Sequence, residues 1–176
     1  MSKHLYQAHL RHVHPSAPCP PVPAYSFYEY PWAQDVHRYD ILILNRGAHY
    51  ENDTAYLHAL SNLWRLFINS PKLVFYRSTP HGHVGCENHE TPGKLPDTAE
   101  MPWHWANFDY QNMLAQPVIE GQGMIYLDFA ALTKDRRDQH RGSFDCLHYC
   151  APGPVDFWLL MFHTAMTWLN QAQEAV

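Results

Sequence analysis

Two ionisable side chains three residues apart open the search for chemistry. In Asp145-Cys146-Leu147-His148-Tyr149-Cys150, just ahead of Pro152-Gly153-Pro154, a tight turn would let the carboxylate accept the imidazole Nδ1 proton. That fixes the tautomer and leaves Nε2 to serve as a general base. A surface Asp beside a packed His satisfies the same spacing. A second set is Asn45-Arg46-Gly47-Ala48-His49-Tyr50. An Asn amide and a Gly N–H at a strand end can donate to an oxyanion, and Arg46 can anchor an anionic or hydroxylated substrate. The plainer reading is a turn in which Gly47 supplies a positive φ. A third set, Arg77-Ser78-Thr79-Pro80-His81-Gly82-His83, joins an Arg, two hydroxyls and two histidines. His81 and His83 lack the further Cys or carboxylate at fixed spacing that a zinc site needs.

Two other groups carry less. His4, His9, His12 and His14 match no ligand set on one helical face, and Pro15 interrupts them, so a solvated segment is the expectation. Cys19, Cys86, Cys146 and Cys150 can form two disulfides in three connectivities. They can also be read as zinc ligands, but they contain no C-x-x-C knuckle. No metal is expected.

Elements must hold these groups in place. Asp40 to Asn45 (DILILN) places four aliphatics in a row, the pattern of a strand buried on both faces in a parallel sheet. Asn52 or Asp53 can cap a helix whose Tyr56, Leu57, Leu60, Leu63, Trp64 and Phe67 recur at three-and-four spacing until Ser70-Pro71. Lys72 to Ser78 reads as a second buried strand and Gly123 to Phe129 as a third, with a helix over Trp103 to Leu114 between them. A last helix, from about Val155 to Ala172, turns Trp158, Leu159, Phe162, Ala165, Met166 and Leu169 inward. This alternation predicts an α/β fold with a mainly parallel sheet and no internal repeat, and ligands bind such sheets at the carboxyl ends of the strands. Residues 1–36, rich in Pro, His and Tyr, read as an irregular arm, and 37–176 as the single folded unit.

Composition narrows the class. The 176 residues are 46% apolar and 16% charged, with 6 Trp, 11 Tyr and 8 Phe, which is a folding composition and not that of a disordered tail. A formal charge of −5 with only 12 scattered Lys and Arg argues against nucleic acid as partner. The longest apolar runs fall short of the roughly 18 residues that span a bilayer, and the charged, His-bearing start is not a signal peptide.

Three blocks stand in order: D-I-L-I-L-N-R-G-A-H-Y, V-F-Y-R-S-T-P-H-G-H-V-G-C and D-C-L-H-Y-C-A-P-G-P-V-D-F-W. Together with the LDFAALTKDRRDQH segment, they resemble the C-terminal part of the trichome-birefringence-like (PC-esterase) family of SGNH/GDSL-like hydrolases. Asp145, Cys146, His148, Cys150, Pro152, Gly153, Asp156 and Trp158 carry the likeness in the last block. The resemblance implies a three-layer SGNH-like fold, incomplete at its N-terminus. It implies a Ser-His-Asp O-acyltransferase or acylesterase acting on carbohydrate or polysaccharide hydroxyls in the secretory pathway (Golgi or extracellular). Acetyl-CoA or an acetylated glycan would be the acyl donor, with no cofactor bound. His148 would be the base and Asp145 its orienting partner. Asn45, Gly47, Arg46 and His49 would lie about the oxyanion and substrate site, and Arg77 and His83 would contact substrate.

The family's nucleophile stands in a Gly-Asp-Ser block, and these residues contain none. The chain is therefore expected to be a fragment, inactive alone, with Ser78 and Ser143 as the nearest substitute hydroxyls. The alternative is a non-catalytic carbohydrate-binding pseudoenzyme with Trp32, Trp103, Trp105 and Tyr50 available to stack on sugars. A bridge from Cys86 to Cys146 or Cys150 would tie the loop after the second strand to the Asp-His turn and require an oxidising compartment.

Overall fold

Four successive aliphatics and five residues of LVFYR form the first two strands of a small parallel sheet. β1 (Ile41–Leu44) and β3 (Ile125–Leu127) flank β2 (Leu73–Arg77), with Leu42 opposite Val74 and Tyr76 opposite Tyr126. The computed structural model describes residues 36–49, 52–61, 63, 72–93, 101–142 and 145–174. The arm expected over 1–36, with its four histidines and Cys19, lies outside them except for Val36, as do Tyr50, Trp64, Phe67 and Ser143.

β2 is the central strand, and its alternation defines the layers. Val74 and Tyr76 face Tyr56 and Leu60 of helix α1 (Asp53–Ser61) and Ala115 and Ile119 of helix α2 (Phe108–Glu120). Phe75 faces the other way, with Leu127, onto Phe129 of helix α3 (Phe129–Thr133) and onto Trp158, Met161, Phe162, Ala165, Met166 and Leu169 of helix α4 (Pro154–Glu174). Helices thus cover both faces of a parallel sheet, which makes the fold α/β. Asn52 caps α1 through its Oδ1, which accepts from the Ala55 N–H at 2.9 Å. Among the described residues no helix is long and apolar enough to cross a membrane.

Four expectations change. Among the described residues β1 stands at the edge of the sheet, and with Ile43 46% exposed it is not buried on both faces. The helix expected from Trp103 starts later and ends later: Pro102 opens a 3-10 segment to Asn107, Trp103 and His104 take left-handed backbone angles, and α-helix begins only at Phe108. In α4, Leu159 is 55% exposed and faces away from the sheet. The Asp-His turn is instead strand β5 (Asp145–Tyr149), paired antiparallel with β4 (His140–Gly142) in a separate two-stranded sheet. Short polar stretches such as HRG show no period that could reveal this hairpin.

The layering predicts a ranked loss. Phe75→Ala removes a wholly buried ring and should lower the unfolding free energy by about 3–5 kcal/mol. Ile43→Ala at the open edge should cost roughly 1 kcal/mol. Urea unfolding of both variants checks this, and equal losses would mean that β1 is not an edge.

Candidate functional site

Asp145 organises the start of β5 through one oxygen. Its Oδ1 accepts from the backbone N–H of Leu147 at 3.2 Å and of His148 at 3.0 Å. These bonds draw the strand back over the carboxylate and bring His148 Nδ1 to 2.9 Å and 2.8 Å from the two carboxylate oxygens. Burial pushes the Asp145 carboxyl up, but the His148 N–H, the imidazole and the Leu147 N–H outweigh it, so the acid stays below its ordinary range. An ionised carboxylate only accepts, so Nδ1 carries the proton and Nε2 is left with its lone pair. The His148 side chain is 59% exposed, against 28% for Asp145: the base faces solvent and its partner lies behind it.

β5 is fastened to the loop that leaves β2. The His83 N–H donates to the Cys146 carbonyl at 2.8 Å, and a disulfide joins Cys86 to Cys146. Cys150 is also disulfide-bonded. The ligand atoms of Cys86, Glu87 and Cys146 lie within 4.8 Å of one another, but the bonded sulfurs provide no thiolate for a metal. At the far end of the block, Asp156 Oδ2 accepts from the Gly153 N–H at 2.7 Å, and Trp158 meets Tyr149 edge to face at 5.7 Å. The conspicuous spacing of Asp145, Cys146, His148, Asp156 and Trp158 is thus the spacing of a hairpin strand pinned at both ends.

Beneath His148 lie two further imidazoles. His83 is fully buried, its Nε2 2.9 Å from the Lys134 carbonyl and its Nδ1 2.6 Å from His140 Nε2. His140 stacks on Tyr149 at 4.2 Å, and its Nδ1 lies 3.3 Å from the His148 carbonyl. Burial, reinforced by the neighbouring His83, pushes His140 down to about 4, and burial also lowers His83. Both ring nitrogens of His83 are engaged within the fold, and the ring supports the hairpin from below.

The carboxyl ends of β1 and β2 form a second cluster. Asn45 Nδ2 donates to the Arg77 carbonyl at 3.0 Å and to Thr79 Oγ1 at 3.1 Å, so both amide hydrogens are committed inside the fold and not to an oxyanion. Gly47, at φ +122°, sits where a Cβ would lie 3.0 Å from Thr79 Oγ1. The turn reading of that glycine is the one its geometry supports. The Tyr76 hydroxyl donates to the Arg46 carbonyl at 2.8 Å and accepts from its N–H at 3.1 Å. The Arg77 guanidinium, lowered by burial, donates to the Ser78 carbonyl at 3.2 Å, while His49 is exposed.

Ser78 is wholly buried. Its hydroxyl donates to Asp128 at 3.0 Å and accepts from the Ala130 N–H at 2.7 Å. Together with the Asp128 carboxylate, which caps Ala131, it satisfies free N–H groups at the start of α3. It serves as a helix-capping hydroxyl in this structure. The loop from Thr79 to His83 links this cluster to the hairpin.

Sequence reasoning missed His140 and Tyr149 under the hairpin. It also missed an ion-paired set in which His81 Nε2 lies 2.5 Å from Asp109 and Lys134 Nζ lies 3.0 Å from the same carboxylate. Contacts 25 to 57 positions apart leave no local motif.

No family model matches this α/β chain. Among curated proteins it is similar to Protein trichome birefringence-like 39 of Arabidopsis thaliana, 27% identical over 114 residues. The match covers 58% of this chain and 29% of that protein, so the chain matches under a third of the relative's length.

The hairpin's attachment is testable. A Cys86→Ser, Cys146→Ser double variant opens a crosslink 60 residues long and should lose about 2–4 kcal/mol of unfolding free energy. Amide exchange should rise most in β4 and β5. Uniform loss of protection would show that the bridge does not act on the hairpin.

Proposed function

We propose that this chain is the part of an acyltransferase or acylesterase that carries the general base, with His148 as base and Asp145 as its orienting partner. The observation that carries this reading is the Asp145–His148 pair itself, held by four contacts of 2.8–3.2 Å with Nε2 on the open side. A carboxylate fixing Nδ1–H is the arrangement by which a His removes a proton from an attacking hydroxyl and returns it to the leaving group. The similarity to a trichome birefringence-like protein supports an acyltransferase- or esterase-like reading in general. The finer reading is a Ser-His-Asp O-acetyltransferase or esterase of polysaccharide hydroxyls in the secretory pathway, on an SGNH-like three-layer fold, with acetyl-CoA or an acetylated glycan as donor.

The nucleophilic hydroxyl is then supplied by residues outside those described, because Ser78 is committed to the α3 cap. A carbohydrate-binding pseudoenzyme is the second reading. It is favoured by Trp103, 78% exposed on a left-handed backbone that costs folding energy.

Extending the reading frame upstream should reveal a Gly-Asp-Ser segment. In the protein of that full frame, His148→Ala should reduce release of acetate from an activated acetyl ester by about 10³-fold or more. Activity within tenfold of the parent would remove His148 from the role of base. Glycan binding without any ester cleavage by the full-frame protein would favour the second reading.

A further inference from the structure

A proton count across the rings under His148 gives a result that neither the motif nor the similarity contains. The links run from the Lys134 carbonyl to His83, from His83 to His140, and from His140 to the His148 carbonyl. Both end groups are carbonyl oxygens, which only accept, so three links need three N–H protons. Two neutral imidazoles bring two; the Tyr149 hydroxyl, 3.3 Å from His83 Nδ1, donates to the His81 carbonyl at 3.1 Å and adds none to these three links.

The arrangement that leaves the weakest link open puts protons on His83 Nε2 and His140 Nε2. His83 then donates to Lys134 at 2.9 Å, and His140 donates to His83 Nδ1 at 2.6 Å. The bare Nδ1 of His140 faces the His148 carbonyl across the longest gap, 3.3 Å. Moving either proton instead sets two lone pairs face to face at 2.6 Å, or opens the 2.9 Å bond.

We propose that His83 and His140 form a single shared proton site and that His140 is a positioning residue for His148, gripping its carbonyl when that site takes up one further proton. The inference rests on His148 being the base only for its functional meaning; the proton count is independent of it.

The surroundings decide when the site fills. His81 and Arg137 oppose a positive charge on His83, while Asp135 favours it. Asp145 favours a charge on His140, and His148 opposes it. Tyr149 covers the pair, with Arg136 and Asp138 beyond it, and Glu87 lies near the Cys146 sulfur. Burial outweighs the favourable charges, so the third proton enters in acid, His140 titrating at about 4.

Nitrogen NMR of the imidazoles and carbon NMR of the His148 carbonyl in the full chain test this. Near neutral pH, His83 and His140 should both be the Nε2–H tautomer and His148 the Nδ1–H tautomer. Lowering the pH should add one proton to the pair, at His140 Nδ1, well below the ordinary histidine range. His140→Phe, which keeps the stack on Tyr149, should abolish the acid titration of the pair and with it the acid-linked shift of the His148 carbonyl carbon. His140→Gln, which can donate to the carbonyl at any pH, should give that carbon near neutral pH the resonance that the parent reaches only once the pair is protonated, without restoring the titration. Two independent titrations near the ordinary histidine value would overturn the shared site. A His148 carbonyl shift over the same pH range in His140→Phe as in the parent would overturn the positioning role. Ester cleavage enters neither readout, so failure here and failure of the acyl-transfer reading are separable.

Discussion

The contact on which the rest depends is the hydrogen bond between His148 Nδ1 and the Asp145 carboxylate, and its geometry is set by main chain more than by side chain. In a regular strand, residues three apart point to opposite faces. Here Asp145 accepts from two successive N–H groups, which bends β5 enough to bring the pair to one side. A bend of that kind persists only if the strand is held on either side of it. The loop after β2 provides this, through the His83 N–H and the Cys86 sulfur, both delivered to Cys146. The site is therefore built as an appendage: a two-stranded hairpin, outside the parallel sheet, fixed to the carboxyl end of the central strand.

That arrangement explains why polar residues at the strand ends do structural work. Asn45, Thr79 and Asn112 bind one another and the backbone: the Thr79 N–H donates to Asn112 Oδ1 at 2.8 Å, and Asn112 Nδ2 donates to the Thr79 carbonyl at 2.9 Å. The loop carrying His81, His83 and Cys86 starts from this clamp. Losing the clamp would release the hairpin from the sheet. Buried polar groups that are fully paired rigidify the segment they hold, and each would be costly to leave open.

Much of the fold was legible because burial writes itself into hydrophobic period. Leu73–Arg77 and the α4 face of Trp158, Phe162, Ala165 and Met166 needed only runs and three-and-four spacing. The Asp145–His148 contact was legible for a different reason: acid and base stand three residues apart in the sequence, even though a bend in β5 is needed to bring them to one side. What stayed hidden required distance. His140 meets His83 across 57 positions, and nothing in HRG marks it. The edge position of β1 was hidden as well, since ILIL reads identically in the middle of a sheet and at its border. The start of α2 was misread because Trp103 and His104 are left-handed, a choice that the residue types do not announce.

The two rings under His148, His83 buried and His140 half-buried, also bear on its electrostatics. When His148 takes a proton, the imidazolium gains from Asp145 and would lose from any cation held below it. Burial lowers both His83 and His140, which disfavours a charge on either ring. Arg136, close by on the approach to β4, is bound to Asp138 by two bonds of 3.0 Å. Neither ring therefore opposes the charge that proton transfer creates, and the Arg136 guanidinium is balanced by its own carboxylate. A lysine at position 140 would put a cation beneath the imidazole. The uncharged pair supports the strand through the stack of His140 on Tyr149 while leaving Asp145 as the charge that governs His148.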